Sequence, residues 1–140
     1  MKVTIKQLEQ ITFAGIGDTG HWVLMDNTPE FGGYGGASKP MEMVLMALGG
    51  CTGMDVASIL GKMRVPLKNM EVIVEGEQAE THPKVFTRIH IEFLFYGTDI
   101  PKDKVEQAVA LSKDKYCSVM AMLRQSVKII TSYQIRPERS

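Results

Sequence analysis

Two hydrophobic periods take turns along this chain. Val3, Ile5 and Leu8 roughly alternate with polar neighbours over residues 2–9, and residues 21–26 (HWVLMD) make a short apolar run with turn residues on both sides. Both stretches predict strands. The connection TFAGIGDTG carries three glycines and predicts a hairpin turn. Residues 27–40 (NTPEFGGYGGASKP) are too rich in Gly and Pro for a regular element and predict a long loop, the kind that forms rims and lids. At Ser38 the signals change together. A candidate N-cap serine, Pro40 in the first turn and Glu42 just inside it precede a run that is apolar on all sides, which predicts a buried helix over residues 40–63. Gly49 and Gly50 lie inside that helix, and each costs about 1 kcal/mol relative to alanine. They imply either a second backbone passing close by or a helix broken in two.

After Pro66 the period returns to two. Val72 and Val74, then Val85, Thr87, Ile89, Ile91 and Phe93, flank AETHPK and predict a long antiparallel pair. Val105, Ala108, Val109 and Leu111 then recur at helical spacing behind Pro101, an amphipathic helix over residues 101–114. KYCSVMAMLRQS predicts a second short helical segment and VKIITSYQI a last strand. The sum is an α+β chain forming one domain over residues 1–140, with a first helix apolar on more faces than one sheet can cover. A homodimer would bury the remainder.

Charge and composition narrow the partners. Sixteen basic and sixteen acidic residues cancel, which removes the broad basic field that nucleic acid or anionic lipid would require. MKVTIKQLEQ lacks the continuous apolar stretch of a signal peptide, so a soluble, cytoplasmic protein with no nucleic-acid or membrane partner is expected. In a reducing compartment the two cysteines, Cys51 and Cys117, are either buried small hydrophobes or a protected reactive pair, and any disulfide between them would be transient. His21, His82 and His90 are dispersed and neither cysteine has a CxxC or HxxxH companion, so no metal site and no cofactor is expected. A cysteine hydrolase would need a histidine brought beside the nucleophile by the fold. The GGYGGASKP loop lacks the GK[ST] of a phosphate-binding loop.

One cysteine sits mid-way along an apolar helix in SKPMEMVLMALGGCTGMDV and the other at the start of a short helix in KYCSVMAML, with a strand pair around EGEQAETHPKVFTRIHIEF between them. In this arrangement the chain resembles the OsmC/Ohr family over essentially its whole length. The resemblance implies antiparallel sheets packed on a long buried central helix, an intertwined homodimer with sites at the subunit interface, and a thiol-dependent peroxidase that reduces organic hydroperoxides. Cys51 would be the peroxidatic cysteine, whose sulfenic acid Cys117 resolves as a disulfide for an external dithiol to reduce.

Two departures from the family pattern bear on the site. Well-studied members stabilise the thiolate with an arginine from an N-terminal loop paired with a glutamate, whereas the first arginine here is Arg64. The acid, Glu42, lies nine residues before Cys51 where the family places it ten before, a displacement of about 100° around a helix. Glu42 is retained as a candidate catalytic residue. Lys39 at the helix mouth and Arg124 behind Cys117 are the main candidates to stabilise the thiolate, with His21, Arg64 and Arg88 behind them. The alternative is a non-catalytic dimer that binds a small apolar or thiol-containing molecule in a Met-rich interface formed around Met41, Met43, Met46 and Met54.

Overall fold

A computed structural model describes residues 1–137 of the chain. The chain forms two compact units, one spanning Met1–Val44 and one from Leu45 onward.

In the first unit three strands, β1 (Val3–Glu9), β2 (Thr12–Gly17) and β3 (Trp22–Met25), form an antiparallel meander in that order. The segment expected to be a hairpin turn is therefore mostly the middle strand. Thr12, Phe13 and Ile16 favour extended backbone, and Gly15 is needed for space, since a Cβ there would lie 3.0 Å from the Ile5 Cδ1. The turns fall either side, at Gln10 and Gly20, both with positive φ. The loop that follows is organised by one buried carboxylate. Asp26 accepts hydrogen bonds from the Thr12 hydroxyl and from the backbone N–H groups of Asn27, Tyr34 and Gly36. The Gly36 N–H contributes most to holding its pKa below the usual carboxylate value, with burial opposing and the other donors assisting.

Helix α1 (Pro40–Lys62) runs unbroken through both central glycines. It begins two residues past the expected cap: the Lys39 N–H donates to the Glu42 carboxylate at 2.8 Å, half of a capping box, while Ser38 pairs with Met25.

In the second unit, β4 (Asn69–Gln78), β5 (Phe86–Tyr96) and β6 (Lys128–Arg136) form a sheet in that order. β4 and β5 are antiparallel as expected, but β6 runs parallel to β5. The sheet is thus mixed, because the helical connection between β5 and β6 acts as a crossover and delivers the last strand in the same direction. That connection holds α2 (Lys102–Leu111), a π-helical turn at Ser112–Tyr116 and α3 (Ser118–Leu123). β5 is the core: Phe86, Ile89, Ile91, Phe93, Leu94, Phe95 and Tyr96 are all buried.

Leu48, Thr52, Val56 and Leu60 mark the inner face of α1. Gly49 and Gly53 let it settle onto β4, where a Cβ on Gly49 would meet the Val74 Cγ2 at 2.9 Å and one on Gly53 the Val72 Cγ2 at 3.2 Å. The close approach is thus by valine side chains, not by a second backbone, and Gly50 faces open space. The helix is less buried than its composition suggests, with Met46 59% and Met54 72% exposed. By length and composition α1 also passes the test for a membrane span, as the core helices of soluble proteins often do.

Candidate functional site

Both cysteines belong to the second unit, and two different elements bring them together. Cys51 is placed by α1, one position before the buried Thr52 on the helix's inner face, so its side chain lies at the edge of that face and is half-buried. Cys117 ends the π turn. Its N–H donates to the Ser112 carbonyl at 2.9 Å, and its sulfur caps α3 by accepting the Met120 N–H at 3.4 Å. This fixes a thiol that is only 2% exposed. Wide turns of this kind are rare and recur at functional sites.

The two sulfurs and a carboxylate oxygen of Asp55 lie within 4.8 Å of one another. Asp55 stands four residues after Cys51 on α1, hence on the same face one turn on. Its carboxylate is oriented from the opposite side, since the buried Ser112 hydroxyl donates to Oδ2 at 3.1 Å and lies 2.8 Å from the buried Thr52 hydroxyl. Thr52 and Asp55 from α1 and Ser112 and Cys117 from the π turn therefore form one connected polar cluster around the thiol pair.

The electrostatics separate the two thiols. Burial pushes the Cys117 pKa up to about 11; the Met120 N–H opposes this, while the Cys51 side chain and the Asp55 charge add to it. At neutral pH on the order of one Cys117 in ten thousand is ionised. Among the described residues, no positive charge is among the groups shifting this thiol.

Of the other residues singled out in the sequence, Arg124 donates from its guanidinium to the Lys113 carbonyl at 3.1 Å, bracing the π turn. Glu42 and Lys39 meet each other at the start of α1 through the capping bond. His90 bonds the Ser132 hydroxyl at 2.7 Å across the β5–β6 pair. The sequence reading missed Asp55 and Ser112. Asp55 was detectable as an acid at i+4 from the helical cysteine. Ser112 was detectable as a hydroxyl on the apolar stripe of Val105, Ala108 and Val109. The two cysteines have no third ligand in sequence motif spacing, yet the fold brings Asp55 beside them as a third donor.

A cavity of about 350 Å³ opens at Asp55 and is lined by Ile59, Met63, Leu111 and Tyr116 together with Ser58 and Lys62. It offers an apolar space directly beside the carboxylate end of the cluster.

Residues 33–132 match the model of the OsmC-like protein family. The chain is 43% identical over 136 residues to protein YhfA of Escherichia coli K12, an alignment covering 96% of this chain and 98% of that protein. A hypothetical protein from Aquifex aeolicus VF5 superposes with a TM-score of 0.85 at 31% identity, covering 99% of this chain and 97% of the other. An organic hydroperoxide resistance protein from Legionella pneumophila shares the fold with a TM-score of 0.62 at 20% identity, over 92% of this chain and 99% of that one.

Proposed function

The chain belongs to the OsmC-like protein family, and from that premise we propose that it is a thiol-dependent peroxidase reducing organic hydroperoxides with Cys51 and Cys117. The observation that carries the reading is the convergence of two free thiols from separate elements on one point. Packing alone gives no reason for a half-exposed and a buried sulfur to meet beside a hydrogen-bonded carboxylate.

The unequal thiols divide the work. Cys51 is the more accessible, so its thiolate attacks the terminal peroxide oxygen; the O–O bond breaks, the alkoxide leaves as alcohol after taking a proton, and Cys51 becomes a sulfenic acid. Cys117 stays protonated and protected until the sulfenic acid forms beside it. Its sulfur then attacks that of Cys51, the S–O bond breaks, and water leaves with the thiol proton. An external dithiol reduces the disulfide and returns both thiols. Asp55, held by Ser112, is placed to relay the Cys117 proton to the departing hydroxide during this second step. Arg124 acts as a positioning residue through the Lys113 carbonyl and so through the turn that carries Cys117. Lys39 and Glu42 set the start of the helix that carries Cys51.

The apolar cavity beside Asp55 favours alkyl hydroperoxides over hydrogen peroxide, because an apolar tail gains about 25 cal/mol per Å² buried. The proposal includes a cytoplasmic homodimer, since free thiols at this spacing require a reducing compartment and exposed apolar residues of α1 require a cover. A second reading, ligand binding without turnover, draws on Asp55, whose charge adds to the burial that opposes ionisation of the Cys117 thiol.

The two readings separate in one experiment. Reduced protein is treated with one equivalent of cumene hydroperoxide, denatured, alkylated and weighed intact. Peroxidase chemistry gives a loss of two hydrogens and no alkylatable thiol. Cys51→Ser abolishes this, whereas Cys117→Ser stops at the sulfenic acid with one equivalent and accumulates sulfinic acid when a second equivalent is added. Full alkylation of the treated wild type would reject the peroxidase and leave the binding reading.

A further inference from the structure

We infer that the reduced Cys51–Asp55–Cys117 cluster is a binding site for a zinc-like divalent cation, with a fourth position left open. Three donors, two sulfurs and one carboxylate oxygen, lie within 4.8 Å of one another. Donors arranged tetrahedrally around zinc at metal–sulfur distances of about 2.3 Å and metal–oxygen distances of about 2.0 Å stand roughly 3.5–3.8 Å apart. Adjustments on the order of 1 Å or less close the gap, within the reach of χ1 changes on a half-buried cysteine and an aspartate on the same helix face.

The donor set selects the ion. Two thiolates with one carboxylate suit zinc and other borderline-soft divalent ions over magnesium or calcium, which take six or more oxygens. The surroundings are those of a built ligand set. The Ser112 hydroxyl donates to Asp55 Oδ2 at 3.1 Å; Ser112 is itself completely buried and lies 2.8 Å from the Thr52 hydroxyl. The Met120 N–H holds the Cys117 sulfur at 3.4 Å. Such outer contacts orient first ligands and are commonly worth 10- to 100-fold in affinity. Charge points the same way, because three potential anions, two thiols and one carboxylate, gather at one point. A divalent ion replaces the two thiol protons, which pass to solvent, and leaves the cluster close to neutral. The open fourth position suits water or one small exogenous ligand.

The site exists only in the dithiol state, since a Cys51–Cys117 disulfide removes two of its three donors. Metal occupancy and thiol oxidation therefore compete for the same sulfurs. This does not depend on peroxidase activity, because a chain whose thiols never meet a peroxide retains all three donors.

The test uses reduced, chelator-treated full-length protein. Cobalt(II) is titrated as a spectroscopic probe and zinc as its competitor, with the same measurements on Cys51→Ser, Cys117→Ser and Asp55→Asn and on wild type oxidised to the disulfide with diamide. Far-ultraviolet circular dichroism confirms that each variant is folded; Cys117→Ala replaces Cys117→Ser should the latter not fold. The expected result is one zinc per chain, near-ultraviolet thiolate-to-cobalt charge-transfer absorption scaling with two sulfurs, its halving or loss in either cysteine variant, at least tenfold weaker zinc binding in Asp55→Asn, and no binding by the oxidised protein. Absence of the charge-transfer band in reduced wild type would overturn the inference. Zinc binding unchanged by the cysteine substitutions would overturn it equally, and affinity unchanged in Asp55→Asn would remove the carboxylate from the site.

Discussion

Cys51 and Cys117 are chemically the same residue made different by their surroundings. One is half-exposed on a helix; the other is sealed, capped by a backbone N–H and pushed up to about 11 by burial. In reduced, metal-free protein a mild alkylating agent at pH 7 is expected to modify Cys51 first and leave Cys117 intact. Labelling of Cys117 should rise with pH toward about 11 or on unfolding, because its thiolate fraction grows tenfold per unit below that value. Peptide mapping by mass across a pH series reads this directly, and equal rates at pH 7 would contradict the assigned environments. The cysteines were legible in the sequence because each sits in an apolar segment with recognisable helix signals. Asp55 and Ser112 were not legible in the same way, because the charges that signal a helix start lie at Lys39 and Glu42. Helical i+4 geometry makes Asp55 a nearer neighbour of Cys51 than charge counting suggests.

Elements obeyed local chemistry where it was unambiguous. Pro40 and Glu42 mark the start of α1, and the alternation from Phe86 to Tyr96 makes the buried strand β5. Thr12–Gly17 was misjudged because its glycines read as a turn, whereas Gly15 serves to admit the Ile5 side chain. The parallel placement of β6 left no local trace: strand direction depends on what the crossover packs against, and its residues suit either orientation. The two central glycines of α1 offer a contrast at this scale. Gly49→Ala drives a methyl to within 2.9 Å of Val74 and is expected to destabilise by about 1–3 kcal/mol. Gly50→Ala meets open space and should stabilise by up to about 1 kcal/mol. Urea denaturation of both variants checks the pair, and matching effects would show that α1 is not seated on β4 by its Gly49 face.

For the whole molecule, the exposed apolar surface carries the argument. All seven residues of β1 are exposed, and Met46 and Met54 on α1 stand largely free. The proposed homodimer gives these surfaces a partner. Sedimentation at micromolar concentration is expected to show one species of twice the chain mass, and Met54→Lys should shift it toward monomer. A wild-type monomer would remove the shared interface from the proposal.

The order of strands in the second sheet has a consequence in time. β5 is central, and its parallel neighbour β6 is the last of the described strands to leave the ribosome. Pairing between them closes a long loop, which is slow compared with forming a hairpin such as β4–β5. The same loop carries Cys117. During synthesis, Cys51 therefore emerges well before Cys117, and on the proposed chemistry the nascent chain presents for that interval a thiol with no second sulfur beside it to halt its oxidation at the disulfide.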